Sequence, residues 1–129
     1  MKKQFSNSWK SSKKPRKQRK YRENAPLHIK HKMLSAPLSK DLKKKYERKN
    51  LPVKRGDTVK IMRGSYKKKT GKISKVMVKL GMVYLDGIEN IKKDGSKKPY
   101  PIHPSNLMIT ELNLDDKKRQ KTLERTKNE

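Results

Sequence analysis

Two regimes of apolar patterning divide the chain. From Leu51 to Leu112, β-branched and aliphatic residues alternate with polar or less apolar ones. Val59 and Ile61 flank Lys60, Val76 and Val78 flank Met77, and Val83 and Leu85 flank Tyr84. A period of two describes half-buried strands with one wet face. Ile73 lies three positions before Val76, which breaks the parity. A bulge or bend near Ser74-Lys75 restores it, and small barrels bend their strands in this way. All six glycines of the chain fall in this segment, mostly where a turn is needed. The pattern predicts a small barrel of about four to six short strands.

Outside that segment the pattern is helical or absent. Leu38, Leu42 and Tyr46 recur at four-residue spacing behind Ser39, a good N-cap, so a short amphipathic helix runs to Tyr46. Leu27, Ile29, Met33, Leu34 and Leu38 are spread too irregularly for one period. Lys10 to Arg22 has no apolar periodicity, and its serines, proline and like charges oppose local order. At the other end, Asp115-Asp116 can cap a short helix reaching about Arg125. Leu123 is its one apolar anchor, so alone it should fray. The expected fold is therefore mainly β. A basic extension with one short helix occupies 1–50, the barrel 51–112 and a helical tail 113–129.

Charge changes what this architecture can be for. The 129 residues carry a formal net charge of +26, and only 29% are hydrophobic. Such a chain cannot bury a core along its whole length, and it folds against self-repulsion. The compensating partner is a polyanion, because each phosphate contact by lysine or arginine releases condensed counterions. Twenty basic and three acidic residues lie in Met1–Arg55, so most of the excess sits in the extension. There is no cysteine, which excludes disulfides, zinc knuckles and thiol catalysis and fits a reducing compartment. No apolar run approaches the roughly 20 residues of a membrane span, and Met1-Lys2-Lys3-Gln4-Phe5 is not followed by a signal-like stretch. The most basic stretch lacks the amphipathic face that anionic lipid would require.

Candidate contact residues follow from charge with aromatic residues alongside. In KSSKKPRKQRKYR, Lys10, Lys13, Lys14, Arg16, Lys17, Arg19, Lys20 and Arg22 form a basic arm, with Trp9 and Tyr21 placed to stack on unpaired bases. The arm is expected to be mobile in the free protein, up to about Leu34, and to order on RNA. His28 and His31, three apart among Lys30 and Lys32, could share a helical face. No carboxylate or thiolate lies close by, so phosphate or base contact fits them better than a metal. In the barrel, Gly64 ends one strand and Gly71 opens the next, through positive φ or close packing. Between them run Ser65 to Thr70, with Tyr66 beside Lys67, Lys68 and Lys69, and with Arg63 and Lys72 at the edges. A tyrosine next to a lysine cluster on a hairpin tip suits gripping a phosphate backbone while stacking on a base. Catalysis has no candidate: no nucleophile–base–orienting set, paired carboxylates or phosphate-cradling loop appears. Asp57, Asp86, Glu89 and Asp94 read as turn residues and surface charges. No cofactor, small-molecule substrate or self-association is expected.

The stretch Val53 to Ile73 resembles the KOW motif, a strand-loop-strand unit of SH3-like barrels. Gly56, Asp57, Val59, Ile61, Gly64, Lys67, Gly71 and Ile73 carry the resemblance, which implies an SH3-like barrel here. Lys68 stands where that motif often has glycine, which implies a less tightly turned loop. KOW units occur in unrelated functions, among them transcription elongation factors, and basic charge alone also fits a DNA-compacting protein. The flanks narrow the choice. Asn24-Ala25-Pro26 through Leu38-Ser39-Lys40, Ile102 to Thr110, and Leu112-Asn113-Leu114-Asp115 into Leu123-Glu124-Arg125 are similar to ribosomal protein twenty-four of the large subunit, in its archaeal and eukaryotic branch. The resemblance implies a cytoplasmic, ribosomal protein that binds the 5′ region of large-subunit ribosomal RNA beside other ribosomal proteins. It also implies a part in early assembly and a place near the mouth of the peptide exit tunnel. The short C-terminal part implies an archaeal member.

Overall fold

In a computed structural model, residues 5–127 are described, without the side chains of Trp9 and Lys127. Eight strands and four α-helices are present among them. The strands are β1 (Ser35–Pro37), β2 (Asn50–Pro52), β3 (Thr58–Ile61), β4 (Thr70–Met77), β5 (Met82–Leu85), β6 (Glu89–Ile91), β7 (Lys97–Pro99) and β8 (Leu107–Glu111). The helices are α1 (Pro15–Asn24), α2 (Leu27–Met33), α3 (Lys40–Tyr46) and α4 (Lys117–Lys127).

A four-stranded antiparallel sheet in the order β5-β4-β3-β8 is the body of the barrel. A parallel bridge from Leu38 to Ile109 and an antiparallel bridge from Val83 to Ile102 extend it at both edges. Alternation places the core as expected: Val59, Ile61, Val83 and Leu85 are buried. The parity break also resolves as expected, because β4 shifts register against β5 between Ile73 and Lys75. That shift leaves Ile73 fully buried while Val76 and Val78 lie half-buried at the core's edge.

The core also draws on residues outside 51–112. Leu34, Ala36 and Leu38 are buried in it, and β1 pairs with β2 antiparallel. Leu123 of α4 joins from the other end. The helix expected up to Tyr46 is α3, capped by the Ser39 hydroxyl, which accepts from the Leu42 N–H at 3.5 Å.

The extension holds more order than its pattern predicts, since α1 and α2 precede α3 as further helices. Pro15 at the first turn supplies a helical φ, and arginine, lysine, glutamine and glutamate propagate a helix well. Pro26 follows the extended Ala25 and stops α1. No residue of α1 is buried, which is why apolar periodicity did not report it.

Asp57 closes a turn as expected, its N–H donating to the Lys54 carbonyl at 3.3 Å, but it is not a surface charge. It is wholly buried, and Arg119 of α4 grips both of its oxygens at 2.6 Å. Its Oδ1 also accepts from the Asn113 N–H at 2.9 Å and its Oδ2 from the Lys54 N–H at 3.0 Å. Arg119 donates further to the carbonyls of Asn113 and Pro52. The ion pair is thus fully hydrogen-bonded, as a buried pair must be, and it fastens α4 to the barrel.

Candidate nucleic-acid interface

The β3–β4 hairpin presents the lysine loop through a tight backbone path. Lys68 has φ of 73°, in the left-handed region, and its N–H donates to the Ile61 carbonyl at 2.8 Å. The Ile61 N–H in turn donates to the Lys69 carbonyl at 2.8 Å. Lysine therefore holds the conformation glycine would adopt freely, and the turn is not loosened as Lys68 had implied. Lys67, Lys68 and Lys69 are all exposed around it, as are Arg63 and Lys72.

Tyr66 is engaged by the protein itself. Its hydroxyl donates to Asn90 Oδ1 at 2.8 Å and approaches the Glu89 carbonyl at 3.1 Å. Its ring stands 5.0 Å from that of Tyr100, and Lys69 Nζ lies 5.0 Å from its centroid. Any base that stacked there would share a ring already packed.

The arm residues are carried on short helices. Lys10, Lys13 and Lys14 lead exposed into α1, and Arg16, Lys17, Arg19, Lys20 and Arg22 project from it, all exposed. Gln18 and Tyr21, one turn apart, occupy the remaining face. The Gln18 amide donates to the carbonyls of Lys10 and Ser12, and the Tyr21 ring packs 4.8 Å from Phe5. The N-terminal segment thus folds back onto that face and leaves the basic residues outward. The Trp9 side chain lies outside the described residues. His28, His31 and Lys32 of α2 are exposed, and Lys30 is half-buried.

Two small concavities join the arm to the hairpin. One of about 170 Å³ is lined by Arg22, Lys30, Lys79 and His103 among others. A second of about 230 Å³ is lined by Arg63, Tyr66, Tyr100 and the same His103. His103 Nδ1 accepts from the Ser105 N–H at 3.2 Å and lies 2.7 Å from the Ser105 hydroxyl. A third cleft, about 550 Å³, sets His31 near Lys54, Arg55 and Lys118. At its rim Lys54 pairs with Asp116, whose carboxyl is held below the ordinary value by the Lys54 ammonium and the Lys118 N–H. Asp116 thereby caps α4. Sequence reasoning missed His103, Lys79, Lys54 and Lys118. The Val83–Ile102 bridge, the approach of the β4–β5 turn to Arg22 and Lys30, and the Arg119–Pro52 bond between α4 and β2 bring them beside the predicted residues.

Residues 12–126 match the family model of ribosomal proteins that comprises L26 of eukaryotes and its archaeal counterpart, L24. The chain belongs to this family. The match spans the α1 arm, the whole barrel and nearly all of α4, so the basic surfaces above are those of a ribosomal protein of the large subunit. Membership gives the chain a structural place in a ribonucleoprotein particle and a role in translation.

Proposed function

We propose that the protein is an RNA-binding structural component of the large ribosomal subunit, without catalysis of its own. It grips ribosomal RNA through the phosphate backbone, with the α1–α2 arm and the β3–β4 loop as two ends of one surface. The observation that carries this reading is their convergence on His103, which borders the arm's Arg22 and Lys30 on one side and the loop's Arg63 and Tyr66 on the other. Arg16, Lys17, Arg19 and Lys20, together with Lys67 to Lys69, supply phosphate contacts, which position the chain without reading bases.

The motif resemblance adds the finer statement. The RNA bound is the 5′ region of the large-subunit ribosomal RNA, engaged early in assembly, and the mature site lies near the exit tunnel in the cytoplasmic ribosome. On this reading 1–50 orders on the RNA, 51–112 is the rigid platform and 113–129 braces it. Sucrose-gradient sedimentation of cell extract, followed by ultraviolet crosslinking, tests the proposal. The protein should travel with the large subunit and crosslink to the 5′ region of its RNA from both arm and loop. Sedimentation away from ribosomal particles, or crosslinks confined to duplex DNA, would overturn it.

A further inference from the structure

The β6–β7 ribbon has no fold-internal reason for its composition. All six residues of its strands are exposed. Two strands with nothing to bury are marginal in water, and this pair carries Lys92, Lys93, Lys97 and Lys98 around a five-residue tip. Its register sets Ile91 opposite Lys97 and Asn90 opposite Lys98, and Ile91 is 73% exposed. Of its two acids, Asp94 is engaged in the turn. Its carboxylate accepts from both the hydroxyl and the N–H of Ser96, and these bonds hold its pKa below the ordinary value.

The ribbon's base is closed by the Tyr100 N–H to Ile88 carbonyl bond and by the buried Ile88 and Ile102, and beyond that base the lysine loop holds it. Tyr66, at the root of Lys67 to Lys69, bonds through its hydroxyl to Glu89 and Asn90 of β6 and packs on Tyr100 just beyond β7. Two lysine-bearing elements far apart in sequence are thereby fixed side by side. The resulting ridge concentrates like charge, and such a field attracts a polyanion.

We propose that the β6–β7 ribbon and the β3–β4 loop form one composite binding surface for an RNA phosphate backbone, with Tyr66 as the positioning residue that couples its halves. The ribbon lysines take phosphates adjacent to those held by Lys67 to Lys69, and Ile91 lies against the sugar or base face between them. This rests on the RNA-binding reading above and adds to it a third grip and a coupling.

The test is a set of salt titrations on the full chain with a fragment from the 5′ region of large-subunit ribosomal RNA. Three charge variants are compared: Lys67, Lys68 and Lys69 to Ala; Lys92, Lys93, Lys97 and Lys98 to Ala; and both together. Each is made with Tyr66 intact and with Tyr66→Phe, which keeps the ring and removes the hydroxyl. The ribbon variant should lower the salt slope by about 0.7–0.9 for each phosphate it no longer neutralises. With Tyr66 intact, the combined loss of affinity should fall short of the product of the separate losses by about fivefold. With Tyr66→Phe the losses should multiply, while melting midpoints show that the barrel stays folded. A ribbon variant with wild-type slope and affinity, beside a weakened loop variant, overturns the composite surface alone. Multiplicative losses with Tyr66 intact overturn the coupling. A loop variant that also binds like wild type sinks the RNA-binding reading itself.

Discussion

Lys68 bears a conformational cost that glycine would avoid. A side chain at φ of 73° is disfavoured by roughly 1–2 kcal/mol relative to the right-handed region, and glycine escapes it. Lys68→Gly should therefore raise the melting midpoint, by up to about 1 kcal/mol of stability, while Lys68→Ala should not. Both changes should weaken RNA binding alike, since both remove the same charge. Equal stability for the two would show that the backbone at this position carries no strain. Gly71 illustrates the other use of glycine. Its φ is not positive, and a Cβ there would stand 3.1 Å from the Asp86 carbonyl oxygen, a backbone atom with little room to retreat. Of the two reasons anticipated for this glycine, close packing is the one that holds. Gly71→Val should cost more than the about 1 kcal/mol typical of point mutants, read as a lowered midpoint in thermal or urea melts. An unchanged midpoint would mean that β4 and β5 can part here at no cost.

Elements were legible wherever one period governed a whole segment. Val59 and Ile61, and Val83 and Leu85, announced β3 and β5, and the broken parity at Ile73 announced the bulge in β4. β1 was hidden because two periods run together. Leu34, Ala36 and Leu38 alternate into the core, but the helical residues of α2 precede them without a break, and the joined stretch has no single period. α1 was hidden for a different reason, having no apolar face to betray it. The docking of α4 lay beyond any local pattern, because its anchor joins Asp57 to Arg119 across 62 residues. Leu123 alone would let an isolated α4 fray, and on the barrel the buried ion pair supplies a second fastening. Arg119→Met should leave Asp57 buried and unpaired, at a cost of about 3–5 kcal/mol. Hydrogen exchange should then accelerate first in α4 and at Lys54 and Asn113, whose N–H groups Asp57 accepts. Exchange unchanged in α4 would mean that Leu123 holds the helix without the ion pair.

For the whole molecule, the charge of +26 is resolved into surfaces. The candidate site was legible in kind, since the basic arm and the lysine loop could be picked out from composition and spacing. Its assembly was not, because His103 and Lys79 join the site only through the fold. Tyr66 was legible as an aromatic residue in a basic loop, but its partners Asn90 and Tyr100 belong to a ribbon the pattern did not single out. The central claim is that phosphate contacts from arm and loop hold the protein on RNA. It is tested most directly by the salt dependence of binding to the ribosomal RNA fragment. Wild type is compared with a variant in which Arg16, Lys17, Arg19 and Lys20 are Ala, and with one in which Lys67, Lys68 and Lys69 are Ala. Each variant should bind more weakly and with a shallower slope, by about 0.7–0.9 for each phosphate no longer held. Wild-type slopes in both variants would mean that these residues form a solvated face, and would contradict the account.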